Sequence, residues 1–293
     1  LMIGGSGLVA PTLLLLRTFF GSKTLVFLHG LDLVVDSFVY QALFIRCIRS
    51  MGHVVANSCN TMQIAVEKGI FENRITVINP GTALPNLTNM EAREDFLQRK
   101  GISFKKIMVF VGRMTKRKGL SRFIEQSLPA IISAVPDTGL IVVGENPNQG
   151  LTNSGEGQEV AELVSRLEAS DHVIFLGQVD DKDLEASYAA ADVQIFPLID
   201  IPGDVEGFGM VAIEAAACGT PTVAFSTGGV ADAISPKNGY LVEPGRYDLL
   251  ADAIVQTLGS GLPHKQQCIE HARGFDWNLY HGKVKSLVNS LYS

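Results

Sequence analysis

Short apolar runs recur along the chain, separated by stretches in which apolar and polar positions alternate with helical periodicity. Runs at 2–3, 25–28, 54–56 and 75–78 predict strands, with helices predicted at 8–20, 36–51 and 61–68 between them. Ile107-Met-Val-Phe-Val111 is apolar throughout, as a strand covered on both faces of a parallel sheet must be. Further runs predict strands near 140–143, 173–175, 193–196 and 222–224. Periodic segments predict helices at 120–132, 184–190, 210–218, 251–258, 265–272 and 277–291. Alternation of this kind is the mark of an α/β chain built on parallel sheets. Between the two sets, 79–89 carries two prolines, a glycine and three asparagines and reads as a linker. The apolar segment 8–16 is too short to span a bilayer and is closed by Arg17, which predicts a buried helix. Residues 146–157, rich in glycine and asparagine, predict a mobile loop.

The most informative stretch is Glu206-Gly-Phe-Gly-Met-Val-Ala-Ile-Glu214. It sets one carboxylate before a glycine-flanked turn and another on the helix that follows, with Gly219 as the left-handed stop. A helix start offers unpaired N–H groups and the positive end of a dipole, which suits a phosphate. Gly207 and Gly209 would let that phosphate approach the backbone. Glu214 lies roughly 7–8 Å further along, at about 1.5 Å per residue, about the distance from a diphosphate to its ribose. Glu206 stands where the group on the other end of the diphosphate would lie. A capping group and a solvated face would leave the same pair of glutamates.

A second constellation lies upstream. The run 107–111 ends at Gly112-Arg113-Met-Thr-Lys-Arg-Lys118-Gly119, and helical periodicity follows. Arg113 and Lys118 therefore fall in a strand-to-helix loop at the carboxyl edge of a sheet, where open α/β folds bind ligands. Arginine offers a planar fork to phosphate oxygens and lysine a compact charge. Lys116 and Arg117 read as solvated neighbours. A surface cluster remains the other reading of Arg113 with Lys118.

Together these residues resemble glycosyltransferase family 4. The resemblance rests on Gly112-Arg113-x4-Lys118-Gly119 followed by Glu206-x7-Glu214 within E-G-F-G-x-V-x-x-E-A. Landmarks between and after agree: Val173-Ile-Phe-Leu-Gly-Gln-Val179, Tyr188-Ala-Ala-Ala-Asp192, Ala217-Cys-Gly-Thr-Pro-Thr-Val-Ala224, Gly228-Gly229 and Gly239-Tyr-Leu-Val-Glu-Pro244. It runs from about Thr24 to the end of the chain. It implies a GT-B fold: two facing Rossmann-like domains with parallel sheets, and retaining, metal-independent transfer from a nucleotide-diphosphate sugar. By resemblance, Arg113 and Lys118 hold the diphosphate, with Gly112 beside them. The amides of Phe208, Gly209, Met210 and Val211 complete the phosphate cradle, with Gly207 clearing its approach. Glu214 takes the ribose hydroxyls, Glu206 a hydroxyl of the sugar, and Val179 the base through its backbone. His29, after the strand at 25–28, would face the sugar across the cleft; a structural histidine at a strand end is the other reading. Asp32 reads as a cap for the neighbouring turn.

The resemblance also sets the expected domains. Residues 1–81 are a partial first domain on the acceptor side, 82–90 the linker and 91–275 the nucleotide-sugar domain. The helix at 276–293 packs back on the first domain. Family members have more strands before the linker than the four predicted, and the chain begins Leu-Met. The expectation is a first domain missing its opening strands and the glycine-rich loop they carry. Gly4-Gly5-Ser6-Gly7 imitates that loop but reads as a tight turn.

With 293 residues there is room for one large or two modest domains. Apolar content of 46% against 18% charged residues excludes a disordered chain. A net charge of −6 gives no general attraction to nucleic acid. Cys47, Cys59, Cys218 and Cys268 lack metal-ligand spacing and fit a reduced, cytoplasmic compartment, with Cys218 as core. Asp181-Lys-Asp183 imitates a metal-binding D-x-D but stands at a helix start, where aspartate caps.

Cleaving a sugar–phosphate bond builds negative charge on the departing diphosphate. Two cations and a helix start can stabilise it without a metal or other cofactor. The expected partners are a nucleotide-sugar donor and a glycan or lipid-linked acceptor. The segment 197–204 is similar to enzymes that modify membrane-anchored acceptors, which adds peripheral contact with the inner face of a membrane. A non-catalytic nucleotide-sugar binder, or an inactive fragment, is the alternative. A nicotinamide-dependent oxidoreductase is excluded, because no G-x-G-x-x-G follows a strand with an acidic residue about 20 positions on.

Overall fold

The computed structural model describes residues 1–144 and 155–292. Two parallel sheets form from the predicted runs. The first holds β1 (Met2–Gly4), β2 (Thr24–Leu28), β3 (His53–Ala56) and β4 (Ile75–Val77), in that spatial order. The second holds β5 (Lys106–Val111), β6 (Thr138–Val143), β7 (Val173–Gly177), β8 (Val193–Phe196), β9 (Thr222–Phe225) and β10 (Gly239–Val242). Its order is β10-β9-β8-β5-β6-β7, and every pairing is parallel. The strand order reverses beside β5, so a crevice opens at the carboxyl ends of β5 and β8. β5, β6, β8 and β9 are buried along almost their whole length, which is why they read as mainly apolar runs, with Thr138, Gln194 and Thr222 as buried polar exceptions.

Several predicted helices are altered. The segment 120–132 forms Leu120–Gln126 and Leu128–Ala134, broken at Ser127. Pro129 opens the second helix, where its missing N–H costs nothing but would interrupt a continuous one. The segment 36–51 yields a π-helical turn, Tyr40–Phe44, running into Ile45–Arg49. Helices Arg93–Lys100 and Glu156–Arg166, and strand β10, were not predicted. The loop expected at 146–157 falls mostly on residues 145–154, outside the described residues, and Gly157 belongs to Glu156–Arg166.

The helix Ala10–Phe20 corrects the expectation of a buried one. Ala10 and Leu13 face the core, but Leu15, Phe19 and Phe20 are 59%, 75% and 72% exposed. Only one stripe of a helix can meet a sheet, and this sequence is apolar on its other faces too. No helix among the described residues is long and apolar enough to cross a membrane.

The chain ends by returning to its first sheet. Thr82 donates its N–H to the Phe275 carbonyl at 2.7 Å, and Thr82 bridges Asp276 in parallel. The helix Trp277–Tyr292 then lays Tyr280, Val284, Leu287 and Leu291 over Leu25, Val55 and Ile78. Lys23 Nζ donates to the Leu291 carbonyl at 2.6 Å. All four cysteines are free thiols, and Cys218 is buried.

Candidate functional site

The loop after β5 folds into a short turn, Lys116–Lys118, ended by Gly119 at φ +70°. A Cβ on Gly119 would overlap the Pro197 carbonyl oxygen, and Ile199 N–H donates to the Arg117 carbonyl at 2.9 Å. Glycine thus lets this turn lie directly on the segment leading to Glu206. Lys118 is buried and its Nζ reaches Glu206 Oε2 at 2.7 Å, 4.9 Å above the Phe196 ring. Burial pulls the Lys118 pKa below its ordinary value, against the opposing charge and hydrogen bond of Glu206. Arg113 is exposed at the mouth of the same loop, close enough for its charge to lower the Lys118 pKa further. Gly112, at φ +152°, closes β5, and a Cβ there would stand 3.7 Å from Lys118 Cε.

Lys116 is exposed, as expected, but Arg117 is not a solvated neighbour. Its side chain is only 11% exposed; Nε lies 2.9 Å from Asp204 Oδ1 and Nη1 donates to Glu206 Oε2. Burial alone would push the Glu206 carboxyl up. The charges and hydrogen bonds of Lys118 and Arg117 outweigh it and hold the pKa below 4.5.

The helix expected at 210–218 is Met210–Ala217, with Gly209 as its N-cap at φ +96° and Gly219 at φ +89° past its end. No side chain caps it. Its first described backbone bond is Ala212 N–H to the Gly209 carbonyl, and the amides of Met210 and Val211 have no backbone acceptor among the described residues. Phe208 is buried against Phe275 and offers only its backbone.

Gly207 has a role the sequence did not suggest. A Cβ there would overlap the His29 carbonyl oxygen and stand 2.7 Å from Asn57 Nδ2. The glycine admits the loops of the first sheet rather than simply clearing a path for a ligand. Gly30, at φ +88°, abuts Gly207 Cα and Val205 from the other side. His29 is exposed here, with its ring Nε2 2.9 Å from the Gly5 carbonyl oxygen. Asp32 accepts the His29 N–H at 2.8 Å and the Ser6 hydroxyl at 2.8 Å, so it braces the turn as expected. Asp232 ties the sheets again, accepting from Cys59 N–H at 2.7 Å and Asn79 Nδ2 at 3.1 Å.

Glu214 lies one turn into the helix and accepts a hydrogen bond from Tyr188 Oη at 3.2 Å. Burial raises its pKa above 4.5, opposed by Tyr188 and the charge of Lys118. Beside it is a cavity of about 320 Å³, walled by Met210, Glu214, Leu184, Tyr188, Pro85 and Trp277 among others. Its lining does not include Val179, which sits in the loop after β7. Sequence reasoning missed this cavity because the linker and the last helix form one wall. Of the D-x-D pair, Asp183 is held by Arg99 and Lys100, and Arg99 above all brings its pKa down to about 2. The helix cap is Asp180, whose carboxylate accepts from Asp183 N–H at 2.8 Å.

Two parallel α/β sheets meeting at their carboxyl edges define a GT-B-like protein. The family described as glycosyl transferases group 1 matches residues 92–275, more than half of the chain, and the chain belongs to that family. It is 32% identical over 210 residues to the D-inositol 3-phosphate glycosyltransferase of Mycobacteroides abscessus, covering 70% of this chain and 44% of that one. It is also 32% identical over 167 residues to a Mycolicibacterium smegmatis enzyme, covering 56% of this chain and 41% of the other. That enzyme is the GDP-mannose-dependent alpha-(1-6)-phosphatidylinositol monomannoside mannosyltransferase. The chain spans about half the length of the curated relatives it matches. Among solved structures, Anabaena HepE in complex with UDP superposes with a TM-score of 0.82 at 20% identity, over 98% of this chain and 78% of that one. Sucrose-phosphate synthase from Thermosynechococcus elongatus gives 0.78 at 25% identity, over 99% and 73%.

Proposed function

We propose that the chain is the donor-binding part of a retaining hexosyltransferase that draws its sugar from a nucleotide diphosphate. One observation carries this reading: Lys118 Nζ meets Glu206 at 2.7 Å, immediately before the bend that opens the uncapped helix Met210–Ala217. A buried cation and the amides of Met210 and Val211 converge there, a combination that stabilises charge developing on a departing diphosphate without reorganisation. Arg113 extends the charge toward solvent. Glu214 and the cavity beside it take the ribose and base, with Val179 flanking the base. Glu206 accepts a sugar hydroxyl, and His29 faces the sugar from the first sheet. We read residues 1–81 and 91–275 as the acceptor-side and donor domains, joined by 82–90. The helix Trp277–Tyr292 returns to the first.

A lipid-linked acceptor is the reading we favour. Relatives act, by name, on phosphatidylinositol mannosides. Leu15, Phe19, Phe20 and Phe38 present apolar surface on the first half, where peripheral contact with a membrane's inner face would occur.

The test is calorimetric titration of the chain with UDP, GDP and ADP. One of them should bind, and Lys118→Ala should weaken it by about tenfold or more, the equivalent of one charge-assisted contact. Binding that is unchanged in Lys118→Ala, or absent for all three nucleotides, would remove the reading.

A further inference from the structure

Glu206 gives a single oxygen to two cations. Arg117 Nη1 and Lys118 Nζ both donate to Oε2, while Oε1 has no donor among the described residues. The two cations differ in what else they can reach. Lys118 stands at the bend that opens the helix Met210–Ala217, within electrostatic range of Arg113 and Glu214. Arg117 is enclosed: its Nε forms an ion pair with Asp204 at 2.9 Å without hydrogen-bond geometry, its carbonyl accepts from Ile199, and its side chain is 11% exposed. A diphosphate arriving at the helix start would draw the flexible ammonium of Lys118 but could not displace the braced fork of Arg117.

We propose that Arg117 is a positioning residue for sugar recognition, holding Glu206 in place once Lys118 turns to a phosphate. This rests on the donor site described above. Without a second cation, Lys118 would leave behind a buried carboxylate with no partner, which is strongly unfavourable. With Arg117 on Oε2, the carboxylate stays in place and Oε1 remains available to accept a sugar hydroxyl. Arg117 itself touches no ligand. It acts through Glu206, and Asp204 acts through Arg117. The arrangement separates two kinds of recognition: diphosphate by Lys118, Arg113 and the amides, and sugar by the Arg117–Glu206 pair.

The experiment compares bare and sugar-bearing ligands on the whole chain by calorimetry, using UDP with UDP-glucose, GDP with GDP-mannose and ADP with ADP-glucose. Arg117→Gln should weaken the bare diphosphate, since Lys118 then leaves Glu206 without a partner, and should weaken the nucleotide sugar about tenfold more, the equivalent of one hydrogen bond to a charged group. Arg117→Lys should restore part of the loss. Asp204→Asn, at a half-exposed position safe for folding, should reproduce it in smaller measure. Equal weakening of both ligands, or no change in either, overturns the proposal while the nucleotide site stands. If the wild-type chain binds no nucleoside diphosphate, the donor reading fails and this inference goes with it.

Discussion

The two glutamates that bracket the glycine bend share a residue type and a degree of enclosure, yet they are held in opposite ways. Glu206 sits among cations that keep it ionised, and its pKa falls. Glu214, one turn into the helix that follows, accepts from the Tyr188 phenol, and burial raises its pKa. Burial alone therefore does not decide what a carboxylate does; the charge of its neighbours does. The first glutamate is part of an ion cluster that joins two loops. The second is a hydrogen-bonding group at the wall of a cavity, free of any salt bridge among the described residues.

Substitutions that remove one charge at a time separate these roles. Glu206→Gln should be the most damaging, because it leaves Lys118 enclosed without a counter-ion and Arg117 with Asp204 alone. Breaking such a pair costs about 3–5 kcal/mol, and urea unfolding would read it. A loss below about 1 kcal/mol would mean that solvent already screens the cluster. Gly207→Ala comes next. Its methyl overlaps the His29 carbonyl, so the sheets must part or strain at a cost of about 1–3 kcal/mol. Small-angle scattering should then show a more open molecule, and an unchanged profile with unchanged stability would refute the close approach.

Glu214→Gln should have the smallest effect, with the opposite sign. A carboxyl whose pKa is raised on folding holds its proton more tightly folded than unfolded, so stability drains away as pH climbs from 4.5 through the folded value. Glu206, shifted down, contributes stability that is present above 4.5 and lost as pH falls through its folded value. At pH 7 Glu214→Gln should therefore raise stability, and at pH 4 the gain should shrink toward zero. Thermal melts at the two pH values would show it. A gain that persists at acid pH would mean the amide packs better for reasons unrelated to charge.

The strands were legible where burial is two-sided, since β5, β6, β8 and β9 admit little but apolar residues. β10 escaped notice because Tyr240 and Leu241 are only partly covered and its run is four residues long. The helix Arg93–Lys100 buries Phe96 alone, too little to set up a period. The bend, its helix and the Lys118 turn were readable because glycines and charges mark them locally. The partners of Arg117 were not, since Glu206 lies 89 residues further on and only the close approach at Gly119 brings them together. Gly207 shows the same limit: its glycine could be read from sequence, but not the His29 carbonyl that demands it.

The helix Trp277–Tyr292, laid over Leu25, Val55 and Ile78, ties the first sheet to residues synthesised after the whole of the second. Until that helix emerges from the ribosome, that face of the sheet lacks this cover, although β1 to β4 emerged long before. The second sheet draws its layers from its own stretch of sequence and can mature as it appears. The cover of that face therefore waits until Trp277–Tyr292 has emerged. Any premature stop that removes Trp277–Tyr292 would strand a finished second half beside a first half with an uncovered apolar face.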